Sequence, residues 1–189
     1  MAWSPDGAKI ASTSSDDTVK IWNPSDGSTY LTLTGHTGVI YSVAWSLDGT
    51  RVATTSDDHT VKVWNASTGA NTYTYTVHST YLNCAVRSPD GTKIASGSHD
   101  YTVKIWNPAD GSTSLIYIDH GGYVYSLDWS PDGTKIVSGD SLNFDKIWNT
   151  ADGTTSVMYT GHAAYVESVA WSPDGSKITS GSGNNVVTI

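Results

Sequence analysis

The sequence predicts an all-β protein made of four-stranded antiparallel meanders, about 4.5 copies of a 42-residue unit. Three observations predict it. Trp22, Trp64, Trp106 and Trp148 fall 42 residues apart, as do His36, His78, His120 and His162 and the "SPDG" turns that begin at Ser4, Ser88, Ser130 and Ser172 ("SLDG" at Ser46). The composition sets 8 Trp and 11 Tyr against a single Phe, among many Thr, Ser and Val, which suits pleated, half-buried surfaces. Short runs alternate apolar and polar residues between Asp-Gly turns, the period of a strand.

Residues 36–77 show the unit in order. "VIYSVAWS" (39–46) puts Val39, Tyr41, Val43 and Trp45 on one face of a first strand. "LDGT" supplies a tight reversal, where Asp and Gly tolerate left-handed backbone. "RVATTS" (51–56) reads as a second strand, "TVKVWN" (60–65) as a third and "TYTYTV" (72–77) as a fourth, with "DDH" and "ASTGAN" as the turns between. One such sheet has too little core to stand alone and must stack on its neighbours.

Charge and composition narrow the function. A net charge of −8 opposes binding to nucleic acid or to anionic membranes, which need a positive footprint. No run reaches the 18 apolar residues of a membrane span, and no charged-then-apolar leader is present, so the location is unassigned, with the cytoplasm favoured. Cys84, the single cysteine, stands where Ser42, Ser126 and Ser168 stand in other repeats, so it reads as a small core residue. Calcium loops of the EF-hand type need a terminal glutamate, and Glu167 is the only one, so the Asp-Gly segments read as turns and no cofactor is expected. Asn65-Ala66-Ser67 matches a glycan acceptor triplet, with nothing to indicate secretion.

The stretch "GHTGVIYSVAWSLDGTRVATTSDDHTVKVWN" resembles a WD-repeat, the sequence unit of a β-propeller blade, and the resemblance covers essentially the whole chain. It implies blades at 35–76, 77–118 and 119–160, flanked by partial blades at 1–34 and 161–189. The family's closing Trp-Asp is Trp-Asn here, at Asn23, Asn65, Asn107 and Asn149, and Arg87 replaces a strand tryptophan.

Each repeat carries Asp, His and a hydroxyl, the residue types of a hydrolase triad. The resemblance implies a structural relay instead: His36, Thr54, Asp58 and Trp64 in one blade, His78, Ser96, Asp100 and Trp106 in the next. Buried polar groups must find partners, and a triad repeated in every blade, without an exposed nucleophile, serves no reaction. No enzyme activity is expected.

The repeats differ most in two places, the lead-in to the first strand and the turn after the second. The resemblance places both on one rim, the face that binds partners. Candidate rim residues are Tyr41, His59, Tyr81, His99, Tyr101, Tyr123, Tyr125 and Tyr165. The expected partner is a protein or peptide, since exposed Tyr combines contact area with a polar tip. A carbohydrate-binding rim is an alternative. So is the plain reading, in which Tyr81, Tyr123 and Tyr165 pack along a central channel and the turns simply drift.

In the fourth repeat Leu142 replaces the aspartate of Asp16, Asp58 and Asp100, and Asp145 replaces the valine of Val19, Val61 and Val103. That repeat is expected to lose its relay aspartate, leaving complete relays only in the two blades above, and either to be destabilised or to bulge until Asp145 reaches solvent. The strand count, with a half strand at the start and three strands at the end, does not close a ring within one chain. Head-to-tail association, a dimer first, is the expected resolution, giving eight blades if ends merge or ten if they stack; a piece of a longer array is the other.

Overall fold

The tight turn that opens each unit is built from its own side chains. Ser4 Oγ donates to Asp6 Oδ1 (2.6 Å) and accepts the Lys9 N–H (2.8 Å), while Asp6 Oδ1 accepts the Ala8 N–H (3.0 Å). The same bonds recur at Ser46, Ser88, Ser130 and Ser172. They hold the turn carboxylates well ionised: hydrogen bonds, first from Ser46, lower Asp48 to about 2. The glycine that follows has φ of 67–72° at Gly7, Gly49, Gly91, Gly133 and Gly175, a conformation that a Cβ would strain.

The computed structural model describes residues 1–76 and 78–188. Its first sheet comprises β1 (Ala2–Trp3), β2 (Ile10–Thr13), β3 (Thr18–Trp22) and β4 (Thr29–Thr34). The second has β5 (Ile40–Trp45), β6 (Arg51–Ser56), β7 (Val61–Asn65) and β8 (Asn71–Tyr75). In the third are β9 (Leu82–Arg87), β10 (Ile94–Ser98), β11 (Val103–Trp106) and β12 (Thr113–Tyr117). The fourth holds β13 (Val124–Trp129), β14 (Lys135–Asp140), β15 (Asp145–Asn149) and β16 (Thr155–Tyr159). Three strands make the fifth: β17 (Val166–Trp171), β18 (Ile178–Ser182) and β19 (Val186–Thr188). Within each sheet the strands pair antiparallel in chain order, and no helix occurs among the described residues. The protein is therefore all-β, in propeller-type blades. The strand expected at 72–77 runs Asn71–Tyr75, and Val77 lies outside the described residues, as does Ile189.

One expectation within the first strand fails. Tyr41 does not share a face with Val43 and Trp45: Ile40 is buried beside them and Tyr41 is exposed. The cause is a bulge. Ile40 pairs with Ser56 and Ser42 with Thr55, so Tyr41 is the extra residue. The bulge recurs at Asn83 between Leu82 and Cys84, at Tyr125 between Val124 and Ser126, and at Glu167 between Val166 and Ser168.

Hydrophobic packing lies between sheets, each against the next in chain order. Val19, Ile21 and Leu33 of the first sheet meet Ile40, Val43 and Val52 of the second. Similar clusters join the second sheet to the third, the third to the fourth and the fourth to the fifth. The first strands of adjacent sheets lie side by side, so β5, β9, β13 and β17 form the inner wall. The five sheets do not close into a ring, as expected of an incomplete propeller.

Candidate functional site

The third-strand tryptophans begin a chain of hydrogen bonds through each blade. Trp64 Nε1–H donates to Thr54 Oγ1 (2.8 Å), Thr54 Oγ1 lies 2.7 Å from His36 Nε2, and His36 Nδ1 lies 2.7 Å from Asp58 Oδ2. The next blade repeats this with Trp106, Ser96, His78 and Asp100, at 3.3, 2.9 and 2.9 Å. Each proton runs one way, indole to hydroxyl to imidazole to carboxylate, which requires a neutral histidine protonated on Nδ1. Burial lowers the pKa of both His36 and His78, consistent with that state. Burial opposes ionisation of Asp58 and Asp100, but hydrogen bonds from Thr60 and His36, and from His78 and Thr102, outweigh it and hold both below the usual range. The hydroxyls of Thr54 and Ser96 belong to residues with no exposed surface. They can bridge indole and imidazole but cannot reach a substrate.

The fourth repeat has a complete relay, contrary to expectation. Asp140, not residue 142, supplies the carboxylate: His120 Nδ1 lies 2.9 Å from Asp140 Oδ2, His120 Nε2 2.7 Å from Ser138 Oγ, and Trp148 Nε1 3.1 Å from the same oxygen. Other repeats place Ser56 or Ser98 at this buried strand end, where each hydroxyl caps a backbone carbonyl. A longer acidic side chain there reaches the histidine instead. The clue in the sequence is a paired change, Ser to Asp at 140 and Asp to Leu at 142.

Of the two expectations for Asp145, the bulge that would bring it to solvent fails. The β14–β15 register runs without a shift through Gly139↔Asp145, and Asp145 is only 6% exposed. Its Oδ2 lies 3.5 Å from His162 Nε2, and its Oδ1 has no partner among the described residues. Burial raises its pKa above the ordinary 3.8, so the folded chain holds that proton more tightly than the unfolded one. Stability from this group is therefore present at low pH and lost as pH rises. Asp145→Val is expected to stabilise by about 1–2 kcal/mol at pH 7, and by less near pH 4. Thermal melts of the variant at both pH values test this, and a lower Tm at pH 7 would assign the carboxylate a net stabilising contact with His162.

The end sheets have partial relays. Trp22 Nε1 donates to Ser12 Oγ (2.7 Å) without a histidine, and His162 Nε2 lies 2.7 Å from Ser180 Oγ while its Nδ1 is unpartnered among the described residues. Asn184 stands where Asp58 and Asp100 stand. Cys84 is buried, and burial pushes its thiol up to about 12, so it is unreactive at neutral pH.

The candidate rim residues other than Tyr41 form a connected aromatic arc. His59 meets Tyr81 with ring centroids 5.5 Å apart, Tyr81 meets His99 at 5.6 Å, and His99 stacks on Tyr123 at 4.1 Å and 17°. Tyr101 joins Tyr123 at 5.6 Å, Tyr123 lies 6.4 Å from Tyr125, and Tyr125 meets Tyr165 at 5.8 Å. Tyr81, Tyr123 and Tyr165 keep 39–44% of their surface exposed. Tyr41 donates its hydroxyl to Asp57 Oδ2 (3.1 Å). Sequence reasoning missed Asn83 and Glu167, which join Tyr41, Tyr125 and Tyr165 around one concavity. Their 42-residue equivalence to Tyr41 and Tyr125 was the available signal.

Five antiparallel sheets packed in chain order, with a buried hydrogen-bond relay inside each of three of them, are consistent with a repeat propeller. The family model described as the IFT122 first beta-propeller matches residues 1–140, and that of the WD domain, G-beta repeat, matches residues 153–189. The chain belongs to the WD-repeat β-propeller family. A comparison with curated proteins finds no match. Propellers of this family are in general non-enzymatic scaffolds that bind proteins or peptides.

Proposed function

We propose that this chain is a non-enzymatic interaction scaffold whose rim, Tyr41, His59, Tyr81, His99, Tyr101, Tyr123, Tyr125 and Tyr165, receives a protein or peptide. The connected aromatic arc carries the reading: the rings are rigid, partly exposed and pre-assembled, so little side-chain freedom is lost on binding. Backbone conformation adds support. The second-to-third strand turns share a position with positive φ, which Asp17, His59, Asn143 and Asn185 adopt at little cost, yet Tyr101 (69°) occupies the same place. Strain of this kind gathers at functional positions.

A library of displayed peptides, followed by binding to alanine variants, tests it. Tyr81→Ala and Tyr123→Ala are expected to weaken a selected peptide about tenfold or more with an unchanged Tm. Wild-type affinity in both variants would rule out the rim. Selective capture on a glycan array, lost in Tyr123→Ala and Tyr165→Ala, would make the rim a carbohydrate site instead.

A second reading, self-association, is favoured by the exposed edge of the fifth sheet. Among the described residues β19 pairs only with β18, and Val186 and Val187 are exposed. Beside it lies a cavity of about 400 Å³, lined by Val137, Ile147, Tyr159, Trp171 and Ile178. An open apolar strand edge is a template for another strand. Light scattering is expected to give twice the chain mass, with Val187→Lys returning the monomer. A monomer across the accessible concentration range would remove this reading.

A further inference from the structure

The inner wall is bulged at the same place in four successive blades, and all four extra residues, Tyr41, Asn83, Tyr125 and Glu167, line one concavity of about 290 Å³. A bulge re-aims the side chain it inserts, so one backbone device repeated at 42-residue intervals builds this site. Tyr165 completes the lining. Three phenol rings and one carboxylate therefore surround the space. Asn83 ties two walls together through its side-chain N–H to the Val124 carbonyl (2.9 Å). Tyr41 extends the acidic character outward through its bond to Asp57, whose other oxygen is unpartnered among the described residues.

The charge around the site has one sign. The chain's 10 lysines and arginines fall at residues 9, 20, 51, 62, 87, 93, 104, 135, 146 and 177, none of them in a first-strand lead-in or in a turn after a second strand. Those same segments hold Asp16, Asp17, Asp57, Asp58, Asp100 and Glu167. Burial lowers the pKa of His99, the histidine stacked on Tyr123, which disfavours a positive charge there. Aromatic faces carry negative potential toward a cation, and a carboxylate beside them supplies a full opposite charge.

We propose that the concavity of Tyr41, Asn83, Tyr125, Tyr165 and Glu167 is a cation pocket that takes a basic side chain of the bound peptide. The proposal deepens the rim reading and rests on it only in taking the partner to be a peptide. An arginine guanidinium suits the lining, because its plane stacks on tyrosine while its fork meets a carboxylate.

The test uses blocked amino acids as probes, N-acetyl-arginine amide with N-acetyl-leucine amide as control, read by NMR of the tyrosine rings in the full chain. The arginine probe is expected to shift Tyr41, Tyr125 and Tyr165 saturably, and the leucine probe is not. Glu167→Gln is expected to weaken the arginine response about three- to tenfold and to flatten its salt dependence. Glu167 is exposed, so this variant folds, and Tyr125→Ala provides a second, charge-independent removal. Equal response to leucine, or an unchanged response in Glu167→Gln, overturns the proposal. The two readings fail separately. Displayed peptides that bind the rim without a basic residue sink the cation pocket and leave the rim. An arginine response with no peptide binder supports a cation site at this concavity and removes the peptide as the rim's partner.

Discussion

Trp106→Ala is expected to cost about 3–5 kcal/mol. Trp106 has no exposed surface and stacks on Tyr75 of the preceding sheet, ring centroids 4.3 Å apart and nearly parallel at 9°. Its removal opens a cavity between two sheets and leaves Ser96 and His78 without the donor that begins their hydrogen-bond chain. The second sheet keeps its interface with the first and the third with the fourth, but only this cluster joins the second sheet to the third. A small domain has about 5–15 kcal/mol of stability in all, so most of it would be lost. Trp22→Ala is the internal comparison. Trp22 is half-buried and its relay lacks a histidine, so its loss should be clearly smaller. Urea denaturation of both variants measures the difference, and equal midpoints would mean that inter-sheet stacking is not what stabilises the array.

Asp140→Ala should cost about 3–5 kcal/mol, although position 140 is serine in every other repeat. The Asp140 carboxylate accepts from His120 Nδ1 (2.9 Å) and from the N–H groups of Leu142 (2.9 Å) and Phe144 (3.1 Å). Alanine removes the acceptor of all three donors, and Asp140 itself has no exposed surface. The companion variant separates this account from the one read in the sequence. If the fourth blade lacked its relay acid, Leu142→Asp would restore it and stabilise. With Asp140 already bonded to His120, Leu142→Asp adds a like charge beside it and should give no gain. Thermal melts decide, and a stabilised Leu142→Asp would return the relay role to position 142.

Much of this protein was legible in one dimension. A 42-residue period in Trp, His and Ser-Pro-Asp-Gly is local chemistry repeated, and local chemistry builds the turns: each serine and aspartate bonds within five residues of itself. The strand sequence and the all-β class follow from pattern and composition, and the resemblance to a WD-repeat implied Thr54, Ser96, His36 and His78 as neighbours of the tryptophans. Three things waited for tertiary structure. The exchange of Leu142 for Asp140 did, because a relay needs a carboxylate at a point in space, and two positions on one strand end can reach it. The burial of Asp145 did, because backbone pairing on both sides holds β15 in register against the preference of one carboxylate for water. The grouping of Tyr41, Asn83, Tyr125 and Glu167 did as well, because strict alternation assigns a side chain to a face and a bulge overrides it. Sequence determined what each blade is made of; the packing of blade on blade decided which of those residues meet.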